Sequence, residues 1–205
     1  MDVTSGSAVY QLLSAAKTFK EIYVSEFTDG AIKEFHKWLN KEHGAHDWSY
    51  PAKFLAELED KGDTWEENED NVRRAIKKVV KWDICGGPLQ PHEVPQVDCV
   101  ISFWVLQKIS KTKEEFKNNL KNVVSQIKKG GWLIIFTALN MSYYRFGKNM
   151  DKHFFLAIDG NFLRAAVIDA GLVIAKFEIL PRSKVSDVLD HDSVAFLLAN
   201  KKLGG

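Results

Sequence analysis

The sequence predicts an α/β fold: a three-layer sandwich on a mainly parallel, doubly wound sheet, with an antiparallel strand pair at the C-terminal end. Helical and strand-like segments alternate along the 205 residues. The run Val97–Phe103 is almost continuously apolar, as is typical of a strand buried on both faces. Two β-rich segments, Leu172–Leu180 and Ser193–Asn200, follow each other and can pair antiparallel. Ligands of such folds bind beyond the carboxyl ends of the strands.

The N-terminal elements follow from short periodic patterns. Ala8–Lys17 has the apolar spacing of a helix, and Glu21–Ser25 is a brief β-rich strand. Asp29 is expected to cap a helix that runs to about Lys41. The order is therefore helix, strand, helix.

The middle of the chain repeats this order. Thr64-Trp65-Glu66-Glu67 has the form of a capping box and predicts a helix through Ile76. The segment Val79–Ile84 is expected to be a strand that ends near Asp83. Gly86–Gln96 is rich in glycine and proline, which predicts a loop before the strand Val97–Phe103.

The C-terminal half completes the pattern. Glu114–Lys128 has a helical apolar stripe, which Lys129-Gly130-Gly131 is expected to stop. Trp132–Leu139 is the most hydrophobic predicted strand, and Gly160–Ala170 is a predicted helix that Gly171 closes.

Composition favours a single domain, residues 1–205, in a reducing compartment. A chain of 23.3 kDa with 45% hydrophobic residues can bury a core without a metal or a disulfide. Two cysteines are too few for a disulfide framework, so we expect a cytoplasmic protein. The net charge of +1 supplies no field for nucleic acid, and no apolar run approaches the ~18 residues of a membrane span. Neither nucleic acid nor a membrane is an expected partner.

Residues at the predicted strand ends have chemistry suited to a nucleoside. Glu26 can accept hydrogen bonds from two ribose hydroxyls, and Asp83 can accept one from a purine amine. Phe103 and Trp104 can pack on a base or on a substrate ring. Each residue alone has an ordinary explanation, such as a turn acid or a core aromatic. Together they predict a nucleoside pocket.

Several segments carry a resemblance to a known family. The chain resembles the small-molecule N-methyltransferases that use S-adenosylmethionine, the group that contains nicotinamide, phenylethanolamine, indolethylamine and thioether methyltransferases. The segments that carry this resemblance are Asp2-Val3-Thr4-Ser5-Gly6, Tyr10-Gln11-Leu12-Leu13-Ser14-Ala15, Glu21–Phe27, Lys37-Trp38-Leu39, Asp47-Trp48-Ser49, Lys81-Trp82-Asp83-Ile84, Asp98-Cys99-Val100-Ile101-Ser102, Lys129-Gly130-Gly131, and Ser142-Tyr143-Tyr144 with Gly147.

The resemblance implies methyl transfer from S-adenosylmethionine to the nitrogen of a small amine or pyridine-type acceptor. It implies no catalytic side chain and no metal. The cofactor-binding residues it implies are Thr4, Ser5, Gly6, Tyr10, Glu26, Asp83, Ile84 and Phe103. The substrate-binding residues it implies are Trp104, Thr137 and Tyr144. The alternative is a catalytically silent member of the family that is kept for ligand binding or for a protein interaction.

The chain departs from the family pattern at positions near the implied site. Thr4 replaces a loop glycine, and its Cβ is expected to crowd the methionine part of the cofactor. Other departures are Ser7 for a proline, Glu26 for an aspartate, Ala31 for an asparagine, Phe103 for a small residue, and Thr137 and Gln107 for acids.

The family's N-terminal arm and most of its first strand have no counterpart in the sequence. The resulting gap beside Glu21–Ser25 and Val97–Phe103 must be filled, because unpaired backbone groups in a dry interior are costly. The expected filler is Met1–Val3 extended by upstream sequence. The alternatives are collapse of the neighbouring strands, or a segment exchanged within a homodimer.

Overall fold

The structure is a computed structural model that describes residues 1–4, 6–60, 65–184 and 186–202. It divides into two compact units, Met1–Trp82 and Asp83–Gly205. The single domain expected over residues 1–205 stays a prediction.

The first unit contains a parallel sheet. Strand β1 (Asp2–Val3) pairs with β2 (Ile22–Glu26), and β2 pairs with β3 (Ile76–Lys81). The helices of this unit are α1 (Tyr10–Thr18), α2 (Asp29–Leu39), α3 (Ser49–Leu58) and α4 (Trp65–Ala75). Phe35 and Leu12 lie at the centre of its core and are almost completely buried.

The short strand β1 occupies the place beside β2. Asp2 lies opposite Val24, and Val3 lies opposite Ser25. The N–H of Thr4 then donates to the carbonyl of Ser25 at 2.8 Å. The chain's own Met1–Val3 segment therefore lies beside β2, and its extension by upstream sequence stays a prediction.

Two expectations for this unit are corrected, and one helix was not predicted. The cap of α2 is Thr28, whose hydroxyl accepts from the N–H of Ala31 at 3.1 Å, and Asp29 is the first helical residue. Strand β3 begins at Ile76 and ends at Lys81, so the expected strand Val79–Ile84 was placed too late.

Helix α3 was not predicted. The carboxylate of Asp47 accepts a hydrogen bond from the N–H of Ser49 at 2.8 Å and so orders the start of this helix. Thr64 of the expected capping box lies outside the described residues.

The second unit contains a mixed sheet in the strand order β4-β5-β9-β8. Strands β4 and β5 are parallel, and the C-terminal pair is antiparallel, as expected. The strands are β4 (Val97–Phe103), β5 (Ile127–Leu139), β8 (Leu172–Pro181) and β9 (Ser193–Lys201), and a separate hairpin is formed by β6 (Tyr143–Phe146) and β7 (Asp151–Phe154). The helices are α5 (Leu106–Ile109), α6 (Lys113–Ser125) and α7 (Gly160–Asp169).

Strand β5 contradicts one expectation. Lys129-Gly130-Gly131 does not simply stop a helix, because α6 ends at Ser125 and β5 already begins at Ile127. The register with β4 shifts from Val97 opposite Ile127 to Cys99 opposite Trp132. The glycines lie in this irregularity, where Gly130 has a φ of +78°. They form a bulge within a strand, as glycine often does.

Candidate functional site

The loop after β1 has backbone that favours glycine. Thr4 has a φ of +51° and Gly6 a φ of +73°. A Cβ atom added at Gly6 would meet no atom within 4 Å, so there is open space above this part of the loop. Ser5 lies outside the described residues. Because Thr4 bonds to the carbonyl of Ser25, this loop lies at the carboxyl end of β2.

Helix α1 starts from this loop without a side-chain cap. The residue at the N-cap position is Val9, which makes no capping hydrogen bond. The first turn of α1 contains no acidic residue. Uncapped N–H groups and the positive end of the helix dipole favour an anionic ligand group.

Gln11 is a polar residue of this region that the sequence reasoning missed. Its amide nitrogen donates to the carboxylate of Asp2 at 3.1 Å and to the carbonyl of Ala8 at 2.9 Å. Its Oε1 is buried and has no hydrogen-bond partner among the residues that the structure describes. A ligand that donates a hydrogen bond would satisfy this oxygen. The signal in the sequence was a glutamine directly before Leu12 and Leu13, on the apolar side of the helix.

Glu26 is the last residue of β2 and is only 2% exposed. Its carbonyl accepts from the N–H of Trp82 at 2.8 Å, which joins the ends of β2 and β3. A carboxylate buried this deeply requires hydrogen-bond donors around it. Glu26 therefore lies at a strand end next to the loop that begins at Thr4, and its expected contact to ribose hydroxyls stays a prediction.

Tyr10 is the first residue of α1 and is partly exposed. Its ring centroid lies 6.1 Å from that of Trp48. The ring of Trp48 in turn lies 4.4 Å from His46. Thr4, Gly6, Tyr10 and Glu26 thus lie on adjoining segments of the first unit.

In the second unit, Asp83 caps a single 3-10 turn, Ile84–Gly86, and does not end a strand. One carboxylate oxygen accepts from the N–H of Cys85 at 3.0 Å, and the side chain is exposed. The side chain of Ile84 is buried, and its carbonyl accepts from Asn122 at 2.8 Å. Asp83 is therefore accessible to a ligand amine, whereas the side chain of Ile84 is buried.

The turn also presents the thiol of Cys85. This residue is exposed, whereas Cys99 is buried in β4. Partial burial and the nearby charge of Asp83 raise the pKa of the Cys85 thiol. The thiol is therefore mostly protonated at neutral pH.

Aromatic side chains gather at the end of β4. The ring of Phe136 lies 5.6 Å from Phe103 and 5.0 Å from Trp104, edge to face with the latter. Trp104 has a φ of +63° and donates its N–H to the carbonyl of Phe136 at 3.0 Å. The ring of Trp104 packs against a small apolar cluster that includes Ala138 and Phe155.

Thr137 and Gln107 form a neutral buried pair. The hydroxyl of Thr137 donates to the amide oxygen of Gln107. The amide nitrogen of Gln107 donates to the carbonyl of Ala138 at 2.8 Å. Both residues line a narrow crevice next to Trp104. At the two positions where the resemblance places acids, the protein therefore has a hydrogen-bonded pair without charge.

Tyr144 lies on strand β6 and packs on the same apolar cluster as Trp104. Its ring stacks on that of His153, with centroids 5.2 Å apart, and the ammonium group of Lys108 lies 5.6 Å from its centroid. The structure thus brings Phe103, Trp104, Thr137 and Tyr144 to one region of the second unit. Asp83 and Ile84 lie on the separate turn that packs on α6.

The segment that holds Tyr144 is fixed by two side chains which the sequence reasoning missed. The guanidinium of Arg182 donates to the carbonyls of four residues, Lys184, Ser186, Leu189 and His191. The carboxylate of Asp190 accepts from the N–H groups of Ser142 and Tyr143 at 2.8 and 3.1 Å, and from the hydroxyl of Ser142 at 2.5 Å.

The pKa of Asp190 reflects these contacts. Burial alone would raise the pKa, but the hydrogen bonds from Ser142 and Tyr143 outweigh it and hold the pKa below the ordinary value of 3.8. Asp190 is therefore ionised at neutral pH and anchors the start of β6.

Comparison with known proteins gives a consistent family match. Residues 1–202 match the sequence model of the NNMT/PNMT/TEMT family. The chain is 36% identical over 204 residues to nicotinamide N-methyltransferase of Sus scrofa, a match that covers 99% of this chain and 76% of the relative. It is 34% identical over 205 residues to indolethylamine N-methyltransferase of Oryctolagus cuniculus, covering 100% of this chain and 77% of the relative.

Solved structures show the same fold. A SAM-dependent methyltransferase from Methanosarcina mazei has a TM-score of 0.65 at 13% identity, and the match covers 99% of this chain and 92% of that one. The expected Rossmann-like fold is confirmed. In the described part of the chain, none of the helices combines the length and apolarity that crossing a lipid bilayer requires.

Proposed function

We propose, from the premise that this chain belongs to the NNMT/PNMT/TEMT family, that it transfers a methyl group from S-adenosylmethionine to the nitrogen of a small amine or pyridine-type acceptor. The observation that carries the proposal is the buried Glu26 at the carboxyl end of β2. The adjacent loop has the positive φ angles that favour glycine, and there is open space above Gly6. Parallel α/β sheets bind their ligands at such strand ends.

The residues of the first unit fit one end of the cofactor. We assign the ribose hydroxyls to Glu26 and the methionine end to Thr4, Ser5, Gly6 and Tyr10. The uncapped start of α1 suits the cofactor's carboxylate, and Oε1 of Gln11 suits its ammonium group.

We carry over three residues of the second unit from the family resemblance. Asp83, whose carboxylate is exposed, is assigned to the adenine amine, and Ile84 and Phe103 are assigned to further contacts of the cofactor. When bound, S-adenosylmethionine supplies a methyl group on a sulfonium, which a nucleophilic nitrogen can displace.

We assign the acceptor to Trp104, Thr137 and Tyr144. The edge-to-face packing of Trp104 on Phe136, and of Tyr144 on Phe155, gives rigid apolar walls that exclude water. In-line methyl transfer needs little acid or base catalysis, so these residues accelerate it by positioning and desolvation. None of them is assigned a proton-transfer role.

The comparisons do not support the alternative of a catalytically silent member, because the matched relatives are named as methyltransferases. A cytoplasmic location, inferred from the low cysteine content, stays a prediction. The homodimer, in which an exchanged segment of a second copy would lie beside β2, also stays a prediction.

Calorimetric titration with S-adenosylmethionine tests the assigned site. Glu26→Ala and Asp83→Ala should each weaken binding by about 1–3 kcal/mol, because each removes a charged acceptor. Glu21→Ala is the matched control, since Glu21 is exposed and forms a surface ion pair with the exposed Lys77. Unchanged affinity in both site variants would refute the assigned residues. Failure of the wild-type chain to bind the cofactor, or to methylate any amine or pyridine acceptor, would refute the function.

A further inference from the structure

The region assigned to the acceptor contains a buried polar pair without charge. The hydroxyl of Thr137 donates to the amide oxygen of Gln107, and both residues are almost completely buried. The amide nitrogen of Gln107 donates to the carbonyls of Ala138 and Leu156, at 2.8 and 3.3 Å. Because an amide nitrogen has two N–H groups, both donors of Gln107 are engaged. Hydrogen bonds within the protein therefore hold this pair in one arrangement.

The crevice that the pair lines is also without charge. The other described residues that line it are uncharged; they are Ser102, Trp104, Val105, Leu106, Phe116 and Ile135. Burying a cation without a counterion is costly. Among the described residues, the lining of this crevice provides no such counterion.

The titratable side chains packed against Tyr144 do not supply a negative charge either. The ammonium group of Lys108 lies 5.6 Å from the centroid of the Tyr144 ring, and His153 stacks on the same ring. Neither side chain can become anionic. The carboxylate of Asp190 already accepts three hydrogen bonds from Ser142 and Tyr143. A cationic acceptor beside Tyr144 would therefore be repelled by Lys108.

The charge of the acceptor decides what a methyl-transfer site must provide. A nitrogen can attack a methyl group only through a free lone pair. An alkylamine is about as basic as lysine, with a pKa of about 10.4, so only about one molecule in 2,500 is unprotonated at pH 7. A site for such an amine must bind its ammonium form and accept a proton from it. A pyridine is a far weaker base, so its ring nitrogen is uncharged at pH 7 and requires neither service.

We propose that the neutral Thr137–Gln107 pair selects an uncharged, pyridine-type acceptor against alkylammonium ions. This inference rests on the proposed methyl transfer and narrows its acceptor to one of two classes. The lone pair of the ring nitrogen attacks the methyl carbon while the sulfur–carbon bond breaks and its electron pair returns to sulfur. The products are an N-methylpyridinium ion and an uncharged thioether, so the positive charge passes from sulfur to nitrogen and no proton moves. The cationic product has no counterion at the pair, which favours its release.

A matched pair of acceptors, 3-methylpyridine and 3-methylpiperidine, tests this selection. Both have the same ring size and the same methyl group, but only the second is protonated at pH 7. We expect kcat/KM at pH 7 to be at least about 100-fold higher for the pyridine, since nearly all of the piperidine is cationic. Calorimetric titration of the chain with each compound, without turnover, should show the same preference in Kd.

The pH profile separates the two acceptors further. Between pH 7 and pH 8, kcat/KM should stay level for 3-methylpyridine, which is already unprotonated. It should rise about tenfold for 3-methylpiperidine, because its free base increases by that factor. A carboxylate that bound the ammonium ion would make the second profile much flatter.

Thr137→Asp places a carboxylate at the neutral pair. The ratio of kcat/KM for the pyridine to that for the piperidine should fall by about tenfold or more, because a buried carboxylate attracts the ammonium ion. Thr137→Asn is the matched control, since asparagine has nearly the same shape as aspartate and no charge, and it should keep the wild-type ratio. Circular dichroism should show that both variants are folded. If the aspartate variant does not fold, the wild-type ratio and pH profile decide.

Two results would overturn the proposal. One is a wild-type protein that uses 3-methylpiperidine at pH 7 as efficiently as 3-methylpyridine. The other is a folded Thr137→Asp variant whose ratio equals that of Thr137→Asn. Absence of methylation with every amine and pyridine tried would instead refute the proposed function, so the two failures are distinguishable.

Discussion

Thr4 shows how a single residue can hold a glycine-type conformation. Its φ of +51° lies in the left-handed region, which costs a residue with a Cβ about 1–2 kcal/mol. Its hydroxyl is buried and has no hydrogen-bond partner among the described residues. The hydrogen bond from its N–H to Ser25 keeps the loop in place, so the backbone path does not depend on the side chain.

Replacing Thr4 by glycine should therefore tighten cofactor binding without loss of stability. The change removes strain and an unpaired hydroxyl, while the greater freedom of the unfolded chain costs about 0.5–1 kcal/mol. We expect the free energy of unfolding to stay level or to rise by about 1 kcal/mol, as measured in urea. Titration with S-adenosylmethionine should show higher affinity, since a Cβ is removed beside the assigned methionine end.

The control for this change is Asp60→Gly. Asp60 has a similar φ of +52° but is exposed at the end of α3, outside the assigned site. It should change stability in the same direction without any change in cofactor affinity. Weaker binding by Thr4→Gly would show instead that the threonine side chain contacts the cofactor.

At the scale of elements, the bulge in β5 leaves no room for a side chain at Gly131 and has a positive φ at Gly130. A Cβ atom at Gly131 would lie 2.8 Å from the carbonyl oxygen of Asp98 and 2.8 Å from a methyl group of Ile127. Contacts this short require the backbone of β4 or β5 to move. The bulge thus determines how the residues from Trp132 onward align with β4.

Gly131→Ala should lower the free energy of unfolding by about 1–3 kcal/mol through this overpacking. Gly30→Ala is the matched control, because Gly30 lies in helix α2 and a Cβ there meets no atom within 4 Å. That control should raise stability by about 0.5–1 kcal/mol, as alanine favours helix. Urea denaturation of both variants measures the difference, and equal effects would contradict the proposed clash.

Asp190 predicts how the stability of the segment before β6 depends on pH. Its pKa in the folded protein lies below the ordinary value of 3.8, so its contribution to the free energy of unfolding is complete above that pH. The contribution is lost as the pH falls through the lower pKa of the folded state. Asp190→Ala should cost about 1–3 kcal/mol at pH 7, since it removes three hydrogen bonds to a charged group.

The difference between wild type and Asp190→Ala should become smaller as the pH falls below 3.8. Denaturation at several pH values measures it. Asp187→Ala serves as the control, because Asp187 is a neighbouring exposed acid. If Asp190→Ala lowers the free energy of unfolding equally at low and at neutral pH, the charge of the carboxylate plays no part.

The elements differ in how well sequence predicts them, for physical reasons. Strand β4 was predicted with its observed ends, because burial on both faces leaves an almost continuous apolar pattern. The β6–β7 hairpin was missed, since all of β7 is exposed and an exposed strand has no apolar alternation. The bulge in β5 was taken for a helix stop, because glycine marks both features.

For the whole molecule, the pattern of polar residues at strand ends already named Glu26 and Asp83, and the family resemblance added residues such as Tyr10. The structure places Glu26 at the end of a strand and Asp83 on a 3-10 turn, and their contacts to a cofactor stay predictions. Neither kind of reasoning could reveal the buried oxygen of Gln11 or the four carbonyls bound by Arg182, because these depend on contacts between distant segments.

The single domain expected from chain length is tested by calorimetry. We predict one cooperative unfolding transition, with equal calorimetric and van't Hoff enthalpies. S-adenosylmethionine at 100 times its Kd should add about 2.7 kcal/mol of stability, which raises the Tm by about 5–10 °C. Two resolved transitions would contradict the single domain, whereas one transition that the cofactor does not shift would contradict binding to the native state.

The turn at Asp83 offers a position for a spectroscopic reporter. Cys85 is exposed while Cys99 is buried, so a maleimide fluorophore should attach at one place in the folded protein. Because the pKa of the Cys85 thiol is raised, labelling will be slow at neutral pH and faster in alkaline buffer. A dye attached there lies two residues from the carboxylate assigned to the adenine amine. Its emission could then follow cofactor binding and release in real time.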